Sequence, residues 1–364
     1  MKSAKTALPS TPGQSPGTRP AFDPGAAAGP DSGIFGLSDS AERARVHVLG
    51  VPFDATTSFH KGAANGPLAI LRASRQVDLF DLLNGKPYEA GIWMAPLDPR
   101  VSAWNEEATR AAAPVIAAGG VGEDPSLLTA ARKVDAIQEE LNRWVETQAR
   151  AALEAGKLLA LVGGDHSVPF GSIQAHAERY PGLGLLHFDA HADLRAAYEG
   201  FTWSHASILR NVVERIPRIE RIVQVGIRDL SEDEFELIQG TGGRVQALFD
   251  HEWADARHSG HVLKSLVRRT LEPLPAQVYV TFDVDGLDPS LCPHTGTPVP
   301  GGLSWSEAML WLEELVLSGR TIVGLDLNEV APEAGQESGA GWDENVGARL
   351  LYRLIGFALR SCGA

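Results

Sequence analysis

Short apolar runs, each closed by glycine or a polar residue, recur along most of this chain. The first, in RVHVLGVPFD (45–54), predicts a buried strand that ends in a polar loop. GPLAILRASRQVDLFD follows, with Pro67 near a helix start and apolar positions spaced for one buried face. Residues 84–123 carry several Pro and Gly and predict an irregular excursion over the surface. From Pro125 to Ala155 the spacing predicts a long amphipathic helix stopped by Gly156, and KLLALVGG opens the next strand.

Beyond that point strands and helices alternate. Apolar runs at 157–162, 183–188, 221–226, 244–249, 277–282 and 320–327 are separated by helical candidates near 168–179, 206–214, 231–240, 260–270, 304–317 and 344–359. Such alternation predicts βαβ units, hence an α/β fold: one three-layer α/β/α domain with a mainly parallel central sheet covered on both faces. No internal repeat and no second core is visible. Residues 1–40 differ from the rest. They are rich in Pro, Gly, Ser, Thr and Ala without periodicity, and predict a flexible or wrapping arm ahead of a single domain over 41–364. The arm's early Lys and Arg residues resemble a transit peptide, but no secretory apolar core accompanies them.

Composition narrows the function classes. A net charge of −14, with no basic tract, argues against nucleic acid as a partner and mildly favours cationic ligands. No apolar run reaches the ~18 residues of a membrane span. Two cysteines, Cys292 and Cys362, exclude a disulfide framework and suggest a reducing, cytoplasmic setting.

Chemistry concentrates in three segments. His166 lies in GGDHS, Asp189, His191 and Asp193 in DAHAD, and Asp283 and Asp285 in TFDVDGLDP, each directly after an apolar strand candidate. Alternate residues of an extended segment point to the same side, so residues two and four apart converge. Ligands of parallel sheets collect beyond the carboxyl ends of the strands, where all three segments sit. Each segment alone has a plain reading: a capping or core histidine, or aspartates that make turns. Together they put four carboxylates at the ends of apolar strands, a costly arrangement unless cations lie between them. Two His and four Asp without thiolates suit Mn²⁺ better than structural Zn²⁺, although nickel or cobalt fits the same donors. Cys292 near the second pair raises the prospect of a thiolate ligand, which the wealth of hard oxygen donors weighs against. Two ions sharing carboxylates lie ~3.5–4 Å apart and acidify a water between them.

The segments GGDHS, FDAHADLR, SHAS, TFDVDGLDPSLCPHTGTPVPGGL and GLDLNEVAPE resemble, in order and spacing, the ureohydrolases, arginase and agmatinase among them, over roughly residues 45–360. The resemblance implies the arginase-like fold and two Mn²⁺ per chain. One ion would be held by His166, Asp189, Asp193 and Asp283, the other by Asp189, His191, Asp283 and Asp285. It further implies that a bridging hydroxide attacks a guanidino carbon and that Asp193 steadies the intermediate. Glu329 would grip the guanidinium with paired hydrogen bonds, and His205 would shuttle a proton to the departing amine. Thr297 and the glycines 296, 301 and 302 would shape the turn that seats the substrate, the glycines for backbone reasons. Glu329 as a solvent-exposed strand-end residue and His205 as a loop histidine without a role remain the plain alternatives. Relatives form trimers and hexamers, which implies a homo-oligomer.

The substrate is less legible. LRAAYEGFTWS (194–204) lacks the Asn, Thr and Ser groups with which arginases bind an amino-acid head group. A small cationic guanidino substrate, agmatine first, is expected; arginine, another guanidino acid and formiminoglutamate are the alternatives. Arg195 resembles a carboxylate-binding residue of formiminoglutamases, yet it could equally pair with an acidic neighbour such as Glu199 or reach across a subunit boundary. Glu199, Glu333 and Asp343 read as surface charges, and Tyr198, Phe201 and Trp203 either wall the pocket or pack beneath it. A metal-binding homologue without hydrolase activity and a dinuclear phosphoesterase share the metal logic. The full residue set disfavours the first, and a glutamate at the guanidinium position would repel phosphate.

Overall fold

A computed structural model describes residues 23–335 and 340–363. Eight strands form one sheet: β1 (Val46–Val51), β2 (Ile92–Met94), β3 (Leu158–Gly163), β4 (Leu183–Phe188), β5 (Ile219–Ile227), β6 (Val245–Phe249), β7 (Gln277–Asp283) and β8 (Thr321–Asn328). Their order is β2-β1-β3-β8-β7-β4-β5-β6, and every pairing is parallel. The helices are α1 (Gly66–Ala73), α2 (Pro99–Ala117), α3 (Pro125–Glu154), α4 (Phe170–Arg179), α5 (Ile208–Arg215), α6 (Glu232–Gly240), α7 (Asp250–His258), α8 (Leu263–Leu271), α9 (Trp305–Leu317) and α10 (Trp342–Ser361).

The strands read as continuous apolar runs because both of their faces are covered. Along β7, Val278, Val280 and Phe282 enter one core with residues of α8, α9 and α10, while Tyr279 enters another with residues of α4, α5 and α6. On β3, Ala160 and Val162 join the first core and Leu159 and Leu161 pack with α2 and α3. This alternation is the strand period of two expressed in three dimensions. The chain places β4 beyond β3 and later fills the gap with β7 and β8. The carboxyl ends of β3, β8, β7 and β4 therefore stand side by side in mid-sheet, at the crossover that favours ligand binding.

Four points differ from the expected layout. Residues 84–123 are not irregular: they hold β2 and α2. Pro99 occupies the first turn of α2 behind Asp98, whose side chain accepts from the Arg100 N–H, so a residue read as a breaker is a start signal. The buried face of α2, Val101, Ala108, Ala112 and Val115, is too small-sided to stand out as an apolar stripe. Helix α7, absent from the sequence reading, is polar on most sides and buries only Trp253 and Ala256. The helix predicted from Gly66 stops at Ala73, and its continuation leaves Phe80 and Leu82 exposed. The packed chain also begins before residue 41, because Ile34, Phe35 and Leu37 are buried in the first core. Residues 1–22 of the expected arm lie outside the described residues.

His176 on α4 is fully buried, with its Nδ1–H 2.7 Å from the Ser172 carbonyl and its ring edge-on to Tyr279. Gly324 of β8 makes room for it, since a Cβ there would lie 2.2 Å from Nε2. Burial pushes this imidazole down to about 4. The unfolded ring titrates near ~6.5, so the native state is fully favoured above that pH and loses stability as pH falls toward 4. His176→Asn should flatten the difference in unfolding free energy between pH 7 and pH 4.5 by roughly 2–3 kcal/mol. Urea unfolding of both proteins at both pH values measures it.

Candidate metal centre

Each predicted segment leaves its strand as expected and turns its carboxylates inward. His166 follows β3, Asp189 follows β4, Asp283 closes β7, and Glu329 follows β8. The carboxylates are oriented by backbone donors. Asp189 Oδ1 accepts from the His191 N–H at 2.6 Å, Asp283 Oδ1 from the Asp285 N–H at 2.8 Å, and Asp285 Oδ1 from the Ala190 N–H at 2.9 Å. The opposite oxygens face imidazoles. His166 Nδ1 lies 3.0 Å from Asp189 Oδ2, 3.4 Å from Asp193 Oδ2 and 3.3 Å from Asp283 Oδ2. His191 Nδ1 lies 3.0 Å from Asp285 Oδ2 and 3.4 Å from Asp189 Oδ1. The six residues are thus brought together in two overlapping groups with Asp189 common to both.

The oxygen-rich donor set fits divalent cations, and the hydrogen bonds behind His166 leave its Nδ1 facing the carboxylates. Asp326 Oδ1 already accepts from Asn328 Nδ2 and, at 3.3 Å, from the Phe282 N–H, so the Thr281 hydroxyl donates to it at 2.8 Å. Thr281 Oγ1 must then accept from His166 Nε2–H, 2.8 Å away. A neutral His166 consequently aims the lone pair of Nδ1 at three carboxylate oxygens. Only a proton or a metal ion between them relieves that repulsion. Burial and the neighbouring carboxylates push Asp193 and Asp283 well up, as expected for anions crowded without a counter-charge.

Among the described residues only four non-glycines have positive φ, and two are here: Asp193 (φ 55°) and Glu329 (φ 62°). Strained backbone held in place by its surroundings clusters at functional sites. Glu329 is buried, not solvent-exposed. Its Oε1 accepts from the His166 N–H at 2.9 Å, while Oε2 is buried without a hydrogen-bond partner. Burial, then Asp283 and Asp165, push its carboxyl well up. Gly296 is needed for space: a Cβ there would sit 3.0 Å from Glu329 Oε2. Its φ is ordinary, unlike those of Gly301 and Gly302 (98° and 94°), so the backbone reason holds for those two alone.

His205 is a buried histidine, with Nδ1 4.0 Å from Glu329 Oε1 and Nε2 without a partner. Its backbone N–H donates to Thr56 Oγ1, which in turn donates to Asp165. Burial and then the His191 charge push its ring down to about 3, so it is neutral. Thr297 Oγ1 lies 3.4 Å from Asp285 Oδ2. Cys292 packs in the first core and belongs to neither ligand group, and burial pushes its thiol well up.

A cavity of about 260 Å³ is lined by Asp193, His191, His205 and Thr297 together with Phe59, Tyr198, Arg195, Asp229 and Glu234. Arg195 has an acidic neighbour as its partner, Glu234 in place of Glu199. Its Nε is 3.7 Å from Glu234 Oε2 and its guanidinium lies over the Tyr198 ring at 5.2 Å. Of the three aromatics left open, Tyr198 walls the cavity while Phe201 and Trp203 pack beneath. Asp343, read as a surface charge, is buried and accepts from the His294 N–H. The sequence reading missed Asp229, an exposed carboxylate on the cavity wall, and His187, a buried imidazole 2.8 Å from Asp189 Oδ2.

A carboxylate–histidine cluster and a buried glutamate with one unpartnered oxygen thus stand together at the carboxyl edge of a parallel α/β sheet. The sequence model of the Arginase family matches residues 44–356, and the chain belongs to that family. It is 37% identical over 326 residues to an N(1)-aminopropylagmatine ureohydrolase of Thermus thermophilus, covering 89% of this chain and 94% of the relative. An agmatinase of Bacillus anthracis is 32% identical over 301 residues, 80% of this chain and 86% of that one. In structure the chain is similar to an arginase from Bacillus subtilis, with TM-score 0.61 and 25% identity over 85% of this chain and 98% of the other. It also shares the fold of an agmatine ureohydrolase of Thermoplasma volcanium, with TM-score 0.66 and 23% identity over 89% and 93% of the two chains. Among the described residues no helix is long and apolar enough to cross a membrane.

Proposed function

We propose that this protein releases urea from a guanidino amine, agmatine or an N-aminopropyl extension of it, with two Mn²⁺ at the centre described above. The observation that carries the reading is Glu329 Oε2, a buried and unpartnered carboxylate oxygen beside the His/Asp cluster. A planar guanidinium supplies the N–H donors and the positive charge that such a group lacks. Divalent ions held by His166, Asp189, His191, Asp193, Asp283 and Asp285 would offset the carboxylates and acidify a water for attack on the guanidino carbon.

The remaining work falls to the protein. Glu329 fixes the plane of the substrate. Asp193, pushed toward protonation by burial and by Asp189, can hold a proton close to the reacting carbon. His205, neutral and with Nε2 unpartnered, can take up a proton on that nitrogen and then give it to the departing amine. His205→Ala should retain two metals per chain and lower turnover by about 10²-fold; metal analysis with steady-state kinetics checks both halves.

The charges on the cavity wall support an amine tail on the substrate rather than a carboxylate. The charge of Arg195 is already offset by Glu234 and covered by Tyr198, whereas the Asp229 carboxylate on the same wall makes no side-chain hydrogen bond or ion pair among the described residues. The name of the Thermus relative fits the same direction. Agmatine and its aminopropyl derivative should therefore exceed arginine and guanidinobutyrate in kcat/KM. Asp229→Asn should raise KM for the amines about tenfold while leaving kcat nearly unchanged. Equal efficiency toward carboxylate-tailed substrates would refute this assignment of the pocket.

A further inference from the structure

His187 stands in the centre of the cluster. One ligand-capable atom from each of His166, His187, Asp189 and Asp193 lies within 4.8 Å of the others, so by distance alone His187 is a seventh ligand. We propose instead that His187 is a positioning residue, locked by Gln224 in the tautomer that donates a hydrogen bond to Asp189 and therefore unable to bind metal.

Gln224 faces His187 across the β4–β5 pairing. Its Nε2 is 2.8 Å from the Ala192 carbonyl. A carbonyl only accepts, which fixes the orientation of the amide. The same Nε2 is 3.0 Å from His187 Nδ1. An N–H directed at Nδ1 requires a lone pair there, so the ring hydrogen of neutral His187 sits on Nε2. Nε2 is 2.8 Å from Asp189 Oδ2 and donates to it. Both residues are fully buried, so water cannot rescue a mismatched pair. Coordination through Nε2 would move the hydrogen to Nδ1 and set two donors against each other.

The consequence concerns Asp189, the carboxylate common to both ligand groups. With Oδ1 held by the His191 N–H and Oδ2 by His187, its plane is fixed before any ion arrives. Outer partners of this kind orient ligands and tune their basicity. Sequence could not show it, because His187 lies inside the apolar run LGLLHF and Gln224 inside another, and only the sheet order makes them neighbours.

The inference rests on the metal reading of the cluster, but its first test does not. Long-range ¹H–¹⁵N correlation of ¹⁵N-histidine-labelled, metal-free protein, with His187 assigned by its loss in His187→Gln, should show the Nε2–H tautomer. The Nδ1–H tautomer would overturn the proposal whatever the cluster binds. The second test is Mn²⁺ titration. His187→Gln keeps an N–H donor near Nε2 and should bind two ions with Kd within about threefold of the parent, whereas His187→Phe should bind two ions about 10–100-fold more weakly. Loss of one ion in His187→Gln, or unchanged affinity in His187→Phe, would overturn it. Failure of the parent itself to bind Mn²⁺ would overturn the metal reading and, with it, this role for His187, while the tautomer measurement still stands on its own.

Discussion

Asp283→Asn should abolish tight metal binding and urea release together, and at the same time make the metal-free protein more stable than its metal-free parent. Both halves come from one arrangement. Asp283 Oδ2 is 3.3 Å from His166 Nδ1 in a buried group that already contains Asp189 and Asp193. Without ions these carboxylates repel, and an isosteric amide removes one negative charge while retaining an oxygen for the Asp285 N–H. The gain for the metal-free state is on the order of 1 kcal/mol, the usual return for relieving a functional cluster. With ions the same charge is an attraction, and its loss should lower kcat/KM by at least about 10³-fold. Asp189→Ala should match the loss of activity, and there too metal content and activity should fall in parallel. Thermal melts with and without chelator, alongside metal analysis and kinetics, separate the two effects. A variant with full activity and intact metal content would displace Asp283 from the ligand set.

Glu329→Gln should leave the metals in place and still be nearly inactive. The amide keeps an acceptor for the His166 N–H, so the local fold is preserved. It loses the negative charge and one acceptor that a guanidinium needs. Truncating one side of a buried charge pair costs roughly 3–4 kcal/mol, so kcat/KM should fall about 10²–10³-fold. The loss should be shared by every guanidino substrate, because Glu329 meets the group they have in common. That separates it from Asp229→Asn, whose effect depends on the tail. Kinetics with both variants across amine- and carboxylate-tailed guanidines tests the division.

Much of this was readable in the sequence because fully buried parallel strands are simple to recognise. LGLLHF and QVYVTF are largely apolar runs, and the aspartates directly after them, Asp189 and Asp283, had to emerge at the carboxyl edge. The parts that escaped have physical reasons. Helix α2 hides behind Pro99 and a buried face of alanine and valine, and α7 is too polar to show a period. Asp229 and Glu234 follow β5, and their place beside DAHAD depends on β5 pairing with β4. Thr281 and Asp326 meet behind His166 because β7 lies next to β8. Lateral neighbours in a sheet leave no periodic trace in one sequence, so the residues that support the centre were less visible than those that form it. Arg195 shows the same limit: sequence presented its charge but not Glu234, which offsets it.

The most direct test of the central claim is urea release from agmatine by protein stripped of metal and then titrated with Mn²⁺, with bound metal counted in parallel. The account predicts no urea from the stripped protein and activity that rises with added Mn²⁺ to a plateau at two ions per chain. Urea release without metal, or two bound ions with no release from agmatine, its aminopropyl derivative or any other guanidino compound, would contradict it.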